Sequence, residues 1–139
     1  MQYSAVRAAV HIASVFAIYL SFAMLAPAAV DLYYGNEDWK VFAFSAFFTG
    51  GLALGCALAS QGRPPAISSR FGFLVVNLLW LTTSTIGAVP FYASASLDLT
   101  LAEAMFEAVS GITTTGATII NGLDDLPPGI LLWRSILQW

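Results

Sequence analysis

Three long stretches without a charged residue divide the chain. Residues 8–30 lie between Arg7 and Asp31, residues 41–62 between Lys40 and Arg63, and residues 71–97 between Arg70 and Asp98. Each is rich in Ala, Val, Leu and Phe, and each is as long as the run of about 20 apolar residues that crosses a hydrocarbon core. Backbone groups in lipid must pair within their own segment, so the pattern predicts three spanning helices at about 8–30, 41–60 and 71–90. The pattern then changes. In residues 98–125, Leu101, Met105, Ala108 and Ile112 recur at helical spacing, while Glu103, Glu107 and Ser110 form a polar stripe. Thr100 and Glu103 fit a capping box at the start of this helix, and Gly111 is expected to stop it. Twelve residues make about 18 Å of helix against about 30 Å of hydrocarbon, so the segment enters and leaves on one side, as a re-entrant loop does. Pro127-Pro128 opens a last helix with proline where it is best tolerated. Too few residues follow for a complete span, so a longer protein is expected.

Composition narrows the function. Of 139 residues, 58% are hydrophobic and only 9% charged, against about 25% charged in a soluble domain. Disorder and a water-soluble enzyme are excluded on these grounds. Five Lys+Arg against eight Asp+Glu leave no basic surface for nucleic acid. The single cysteine, Cys56, reads as a small buried residue, and the single histidine, His11, as part of helix packing. No nucleotide-binding, zinc-hydrolase or nucleophile motif is present, so the chain does not read as an enzyme and implies no cofactor. The fold class is an all-α membrane protein, with three transmembrane helices, a re-entrant helix with its loop, and the start of a fourth span.

Charge sets the orientation. Residues 61–70 carry Arg63 and Arg70 and no acid, and Arg7 precedes the first span, whereas residues 98–125 carry five acids and no base. Basic segments stay inside, which places the amino terminus and residues 61–70 in the cytoplasm and the acidic segments outside. Tyr33, Tyr34 and Trp39 fall at the outer interface, where aromatic anchors collect. Residues 8–28 also resemble a signal peptide ending in Ala26-Pro27-Ala28, but the apolar stretch exceeds the 7–15 residues of a signal core. Pro27 reads better as a kink. Gly51 and Gly55, with Gly50 beside them, are expected to let two helices approach closely.

The segment after the short helix carries the functional signal. Ile112-Thr113-Thr114-Thr115-Gly116-Ala117-Thr118 holds no charge. Consecutive threonines favour extended backbone, and Gly116 permits a dihedral that other residues resist. Carbonyls turned one way, with threonine hydroxyls, offer oxygen ligands to a hard cation. The carbonyl end of the preceding helix faces the same place. This describes a filter for a monovalent cation at Thr113, Thr114, Thr115, Gly116 and Ala117. Thr100, Glu103 and Glu107 support it from the helix. Asp124 and Asp125 form either an acidic outer mouth that concentrates cations or an ordinary solvated loop. The residues alone also fit a threonine-rich external loop on a non-transporting assembly protein, or a self-assembling channel.

The run Gly111 to Thr118, followed by Gly122-Leu123-Asp124-Asp125-Leu126-Pro127-Pro128-Gly129-Ile130-Leu131-Leu132-Trp133-Arg134, closely resembles the TrkH-type proteins of the Trk/Ktr/HKT superfamily. The resemblance is strong over about residues 98–139 and is one of layout before that. It implies potassium uptake across the bacterial inner membrane, through one pore built from four unlike repeats of one chain. Residues 1–62 would be an amino-terminal helix pair and 63–139 an incomplete first repeat giving a quarter of the filter. Gly116 would be the glycine each repeat keeps. The resemblance further implies a homodimer, a cytosolic TrkA-type nucleotide-binding regulator, and a gating loop and key arginine in later repeats. Arg134 is not that arginine.

Overall fold

The computed structural model describes residues 2–62 and 66–139, and among them the architecture is all-helical. The basic connection predicted at 61–70 is described only in part, and Arg63 lies outside the described residues. Six α-helices follow in order: α1 Gln2–Ala23, α2 Leu25–Tyr34, α3 Trp39–Ala59, α4 Ser69–Ala93, α5 Leu101–Ile112 and α6 Pro128–Gln138. A short 3-10 turn at Leu123–Asp125 precedes α6. Three stretches are long and apolar enough to cross a membrane: Ala5–Tyr34, Trp39–Ala59 and Ser69–Ala93.

The first span is broken at Met24. Pro27 lacks an N–H and its ring crowds the carbonyl four residues back, so α1 and α2 meet at a kink there. Gly35, with φ 74°, ends α2 in a left-handed cap whose N–H meets the Leu32 carbonyl. All three spans overrun the charge gaps that located them. Arg7, Asp31, Lys40 and Arg70 all sit inside helices, because a helix end is set by backbone pairing rather than by the first charge.

Small residues join α1 to α3. Ala9, Ala13 and Ala17 are buried on α1, and Ala46, Ala53 and Ala57 on α3. The Ser21 and Thr49 hydroxyls lie 2.9 Å apart across this seam. At its other end His11 Nδ1 lies 2.9 Å from the Ala57 carbonyl oxygen, and Arg7 donates to the Ala59 carbonyl at 3.1 Å. His11 is thus part of helix packing, and Arg7 covers a carbonyl that the end of α3 leaves free. The expected role of Gly51 and Gly55 is corrected: a Cβ on either would meet nothing within 4 Å, whereas one on Gly50 would lie 3.3 Å from the Ser21 Cβ. Gly51 and Gly55 face outward because α1 docks on the neighbouring stripe. Cys56, expected to be buried, is exposed for the same reason.

The core sits where α2, α3, α4, α5 and α6 converge. Met24, Phe42, Phe91, Ala104, Ala108, Ile130 and Trp133 are buried there. Trp133 packs edge-on against Phe42 at 6.2 Å between ring centroids and donates its indole N–H to the Gly87 carbonyl at 3.0 Å. That bond allows a full-sized indole to be buried without an orphan donor.

Candidate functional site

Thr100 takes extended backbone (φ −68°, ψ 161°) and its hydroxyl accepts from the Glu103 N–H, while the Glu103 carboxylate accepts from the Thr100 N–H at 2.8 Å and from the Thr100 hydroxyl at 2.7 Å. This is the predicted capping box. The Thr100 donors hold the Glu103 carboxyl below the usual glutamate range.

The helix does not stop at Gly111. It runs on to Ile112, with Thr113 as its cap. A Cβ on Gly111 would lie 3.1 Å from the Leu137 Cβ and 3.9 Å from the Arg134 carbonyl oxygen. The glycine is required by the close approach of α6, not by a left-handed cap. Gly87 of α4 has the same relation to Leu137, with its absent Cβ 3.1 Å from a Leu137 methyl.

The loop after Ile112 is not the extended strand that its threonines predict. Thr113 has φ −79°, Thr114 has φ 56° and Gly116 has φ 73°, whereas Thr115 and Ala117 are not in the positive region. A β-branched residue in the left-handed region is an outlier, held against its preference by the surrounding bonds. Those bonds are visible. The Thr113 N–H donates to Val109, the Thr114 N–H to Gly111 at 2.8 Å, and the Thr115 and Gly116 N–H groups both converge on the Ser110 carbonyl at 3.0 and 3.3 Å. Successive N–H groups gathered on one acceptor form a nest, which alternating left- and right-handed dihedrals produce. The peptides are all trans, and in a planar trans peptide the carbonyl opposes the N–H. The carbonyls of Thr114 and Thr115, in the peptides whose N–H groups meet Ser110, therefore point away from α5 toward the exposed side of the loop.

Ala117 differs. Its carbonyl accepts from the Ser110 hydroxyl at 2.6 Å and is drawn back toward α5. Of the hydroxyls, Thr113 donates to the Val109 carbonyl at 2.7 Å and lies 2.7 Å from the Thr115 hydroxyl. Residues 113–119 are otherwise exposed along their length.

Glu107 anchors the far end of the loop. Its Oε1 accepts from the Thr118 hydroxyl at 2.6 Å and from the Ile119 N–H at 2.8 Å, and its Oε2 lies 3.2 Å from Arg134 Nε on α6. The Glu107 side chain is fully buried and that of Arg134 is 21% exposed. A buried carboxylate needs such a counter-charge. The sequence placed Glu107 on the helix's polar stripe, but its partners lie 11, 12 and 27 residues further on. Asp124 and Asp125, on the 3-10 turn after Gly122 (φ 70°), are exposed and apart from this network.

Sequence reasoning missed two acids. Asp31 and Asp38, read as part of an outer loop, are both buried. Asp31 Oδ1 accepts from the Gly129 N–H at 2.7 Å, and Asp38 accepts from the Ser94 hydroxyl at 2.7 Å. Their one local signal was a position beside an apolar run. Among the described residues, no cluster of three His, Cys, Asp or Glu groups is placed to hold a metal.

Comparison with known proteins identifies the family. The family model of TrkH, a cation transport protein, matches residues 40–139. The potassium uptake protein TrkH of Escherichia coli K12 is 42% identical over 96% of this chain, which corresponds to 28% of that protein. The potassium uptake protein TrkG of the same strain is 36% identical over the whole chain, or 29% of its own length. The crystal structure of the potassium transporter TrkH from Vibrio parahaemolyticus superposes with a TM-score of 0.91 at 34% identity, over all of this chain and 29% of that one. The chain thus spans less than a third of the relatives it matches. It is a membrane protein, and it belongs to the TrkH family of cation transport proteins.

Proposed function

We propose that this chain is the amino-terminal part of a potassium uptake protein and that residues 113–117 supply one quarter of its ion filter. The observation that carries the reading is the nest on Ser110. By gathering the Thr115 and Gly116 N–H groups it turns the Thr114 and Thr115 carbonyls outward, as ion ligands must be turned. Thr114, Thr115 and Gly116 hold potassium. Ala117 contributes backbone spacing rather than its carbonyl, and Thr113 braces Thr115 through its hydroxyl. An assembly protein explains less, because it does not need a threonine held at positive φ, and a self-assembling channel explains less, because the chain matches less than a third of its potassium-uptake relatives.

In this reading residues 1–62 form an amino-terminal pair and 63–139 the first repeat, with later repeats closing the pore against the exposed loop. The amino terminus is cytoplasmic, the membrane is the bacterial inner membrane, and Asp124 and Asp125 sit at the outer mouth. The full protein works as a homodimer with a TrkA-type nucleotide-binding regulator and needs no cofactor beyond the transported ion. Gly116→Asp in the full protein tests the filter. A side chain strains the left-handed backbone and a carboxylate grips the ion, so potassium uptake is abolished while membrane abundance is kept. Normal uptake by this variant would overturn the assignment.

A further inference from the structure

One buried carboxylate lies outside the filter network and yet reaches it through a single helix. Asp31, on α2, is fully buried. Its Oδ1 accepts from the N–H of Gly129, the second residue of α6, at 2.7 Å. That N–H is one of those that the start of a helix leaves without an internal partner. A Cβ built on Gly129 would overlap the carboxylate, so glycine is the residue that admits it. The negative group sits at the positive end of the α6 dipole, and among the described residues its second oxygen has no hydrogen-bond partner. A buried carboxylate with one oxygen unmatched is a poor way to gain stability, since an apolar residue of similar size fills the same space without the desolvation cost. What it supplies that an apolar residue does not is a fixed position for the end of α6.

The rest of α6 converts that position into filter geometry. Arg134 is five residues further on, about 7.5 Å along the helix axis, and it meets Glu107. Glu107 in turn holds Thr118 and Ile119 at the end of the filter loop. One turn later Leu137 packs against the bare faces of Gly87 and Gly111, close beneath the Ser110 nest. A slide or rotation of α6 displaces Arg134 and Leu137 together, because the helix moves as a rod.

We infer that Asp31 is a positioning residue for the filter: through Gly129 it fixes the register of α6, and through Arg134 and Glu107 that register sets the filter loop. The amino-terminal helix pair is then part of the selectivity apparatus and not an accessory to it. This rests on the filter reading above.

The test uses the full protein in proteoliposomes, with potassium and sodium fluxes measured per inserted molecule. Asp31→Ala is expected to lower the potassium-to-sodium flux ratio about tenfold, the equivalent of losing one hydrogen bond to a charged group. Gly129→Ala drives the carboxylate away from the helix end and is expected to give the same loss. Asp31→Asn keeps an oxygen for the Gly129 N–H and is expected to restore most of the ratio. If Asp31→Ala inserts poorly, the Gly129→Ala and Asp31→Asn pair decides the matter. A wild-type ratio in Gly129→Ala, or an Asn variant as impaired as Ala, overturns the inference. So does a fall in abundance with an unchanged ratio, which is what a purely structural role produces. Wild-type protein that carries no potassium would instead defeat the transport reading itself, and this inference with it.

Discussion

The seam between α1 and α3 and the seam between α5 and α6 solve the same packing problem by different means. The first uses alanines backed by hydroxyl pairs, with Arg7 and His11 covering carbonyls at one end. The second uses a glycine under Leu137 and a buried Glu107–Arg134 pair that also holds the loop. Both seams set a glycine against one particular side chain, Gly50 against Ser21 in the first and Gly111 against Leu137 in the second. The first is held by hydroxyl and carbonyl contacts within the helix pair, whereas the second adds a buried charge pair whose carboxylate also bonds Thr118 and Ile119. Only the second seam therefore ties helix packing to the loop at 113–119.

The largest effect is expected where the second seam's charge is removed. Glu107→Ala leaves Arg134 half in the protein without a partner and frees Thr118 and Ile119. It should cost about 3 kcal/mol, the low end for breaking a buried pair because Arg134 keeps some solvent contact. Thermal unfolding in detergent measures this, and a loss below about 1 kcal/mol would mean that the pair does not hold the seam.

Gly111→Ala comes next. Its new methyl would sit 3.1 Å from the Leu137 Cβ, inside normal contact, and overpacking of this kind costs about 2 kcal/mol. Gly51→Ala on the outward face of α3 is the matched control and should change stability by less than about 0.5 kcal/mol. Equal effects at the two glycines would mean that the Leu137 contact is not what makes Gly111 costly to fill. A large effect at Gly51 alone would mean that a further part of the full protein packs there.

Thr100→Ala is the smallest of the set, at about 1 kcal/mol for a lost cap. Its pH dependence has a definite sign. Glu103 is held below its ordinary value of 4.5 in the folded chain, so its contribution is complete above pH 4.5 and is lost as pH falls through the lowered folded value. The gap between wild type and Thr100→Ala should therefore narrow in acid. A gap independent of pH between 7 and 3 would separate the cap from the Glu103 charge.

These experiments also follow the line between what was legible in the sequence and what was not. The three spans, the Thr100–Glu103 box, the Pro128 start and the positive φ at Gly116 are each written in a few adjacent residues, and each is found where expected. Gly111 was misread because its reason lies on Leu137, 26 positions away. Gly51 and Gly55 have the spacing of a contact, but spacing does not say which helix face meets a partner. The three threonines suggested an extended strand from intrinsic preference. The hydrogen bonds to Val109, Ser110 and Gly111 override it and place Thr114 in the left-handed region. Asp31 looked like the edge of a loop because its partner, Gly129, is 98 residues downstream.

That separation of 98 residues also has a consequence in time. A ribosome adding about 5–20 residues per second needs roughly 5–20 s to bring Gly129 into being after Asp31. During that interval the carboxylate near the end of the first span has no amide to receive it. Water at the membrane surface must keep that group solvated until α6 arrives. The bond between them is therefore a late event in biogenesis, and it marks the moment at which the amino-terminal helices and the first repeat become one body.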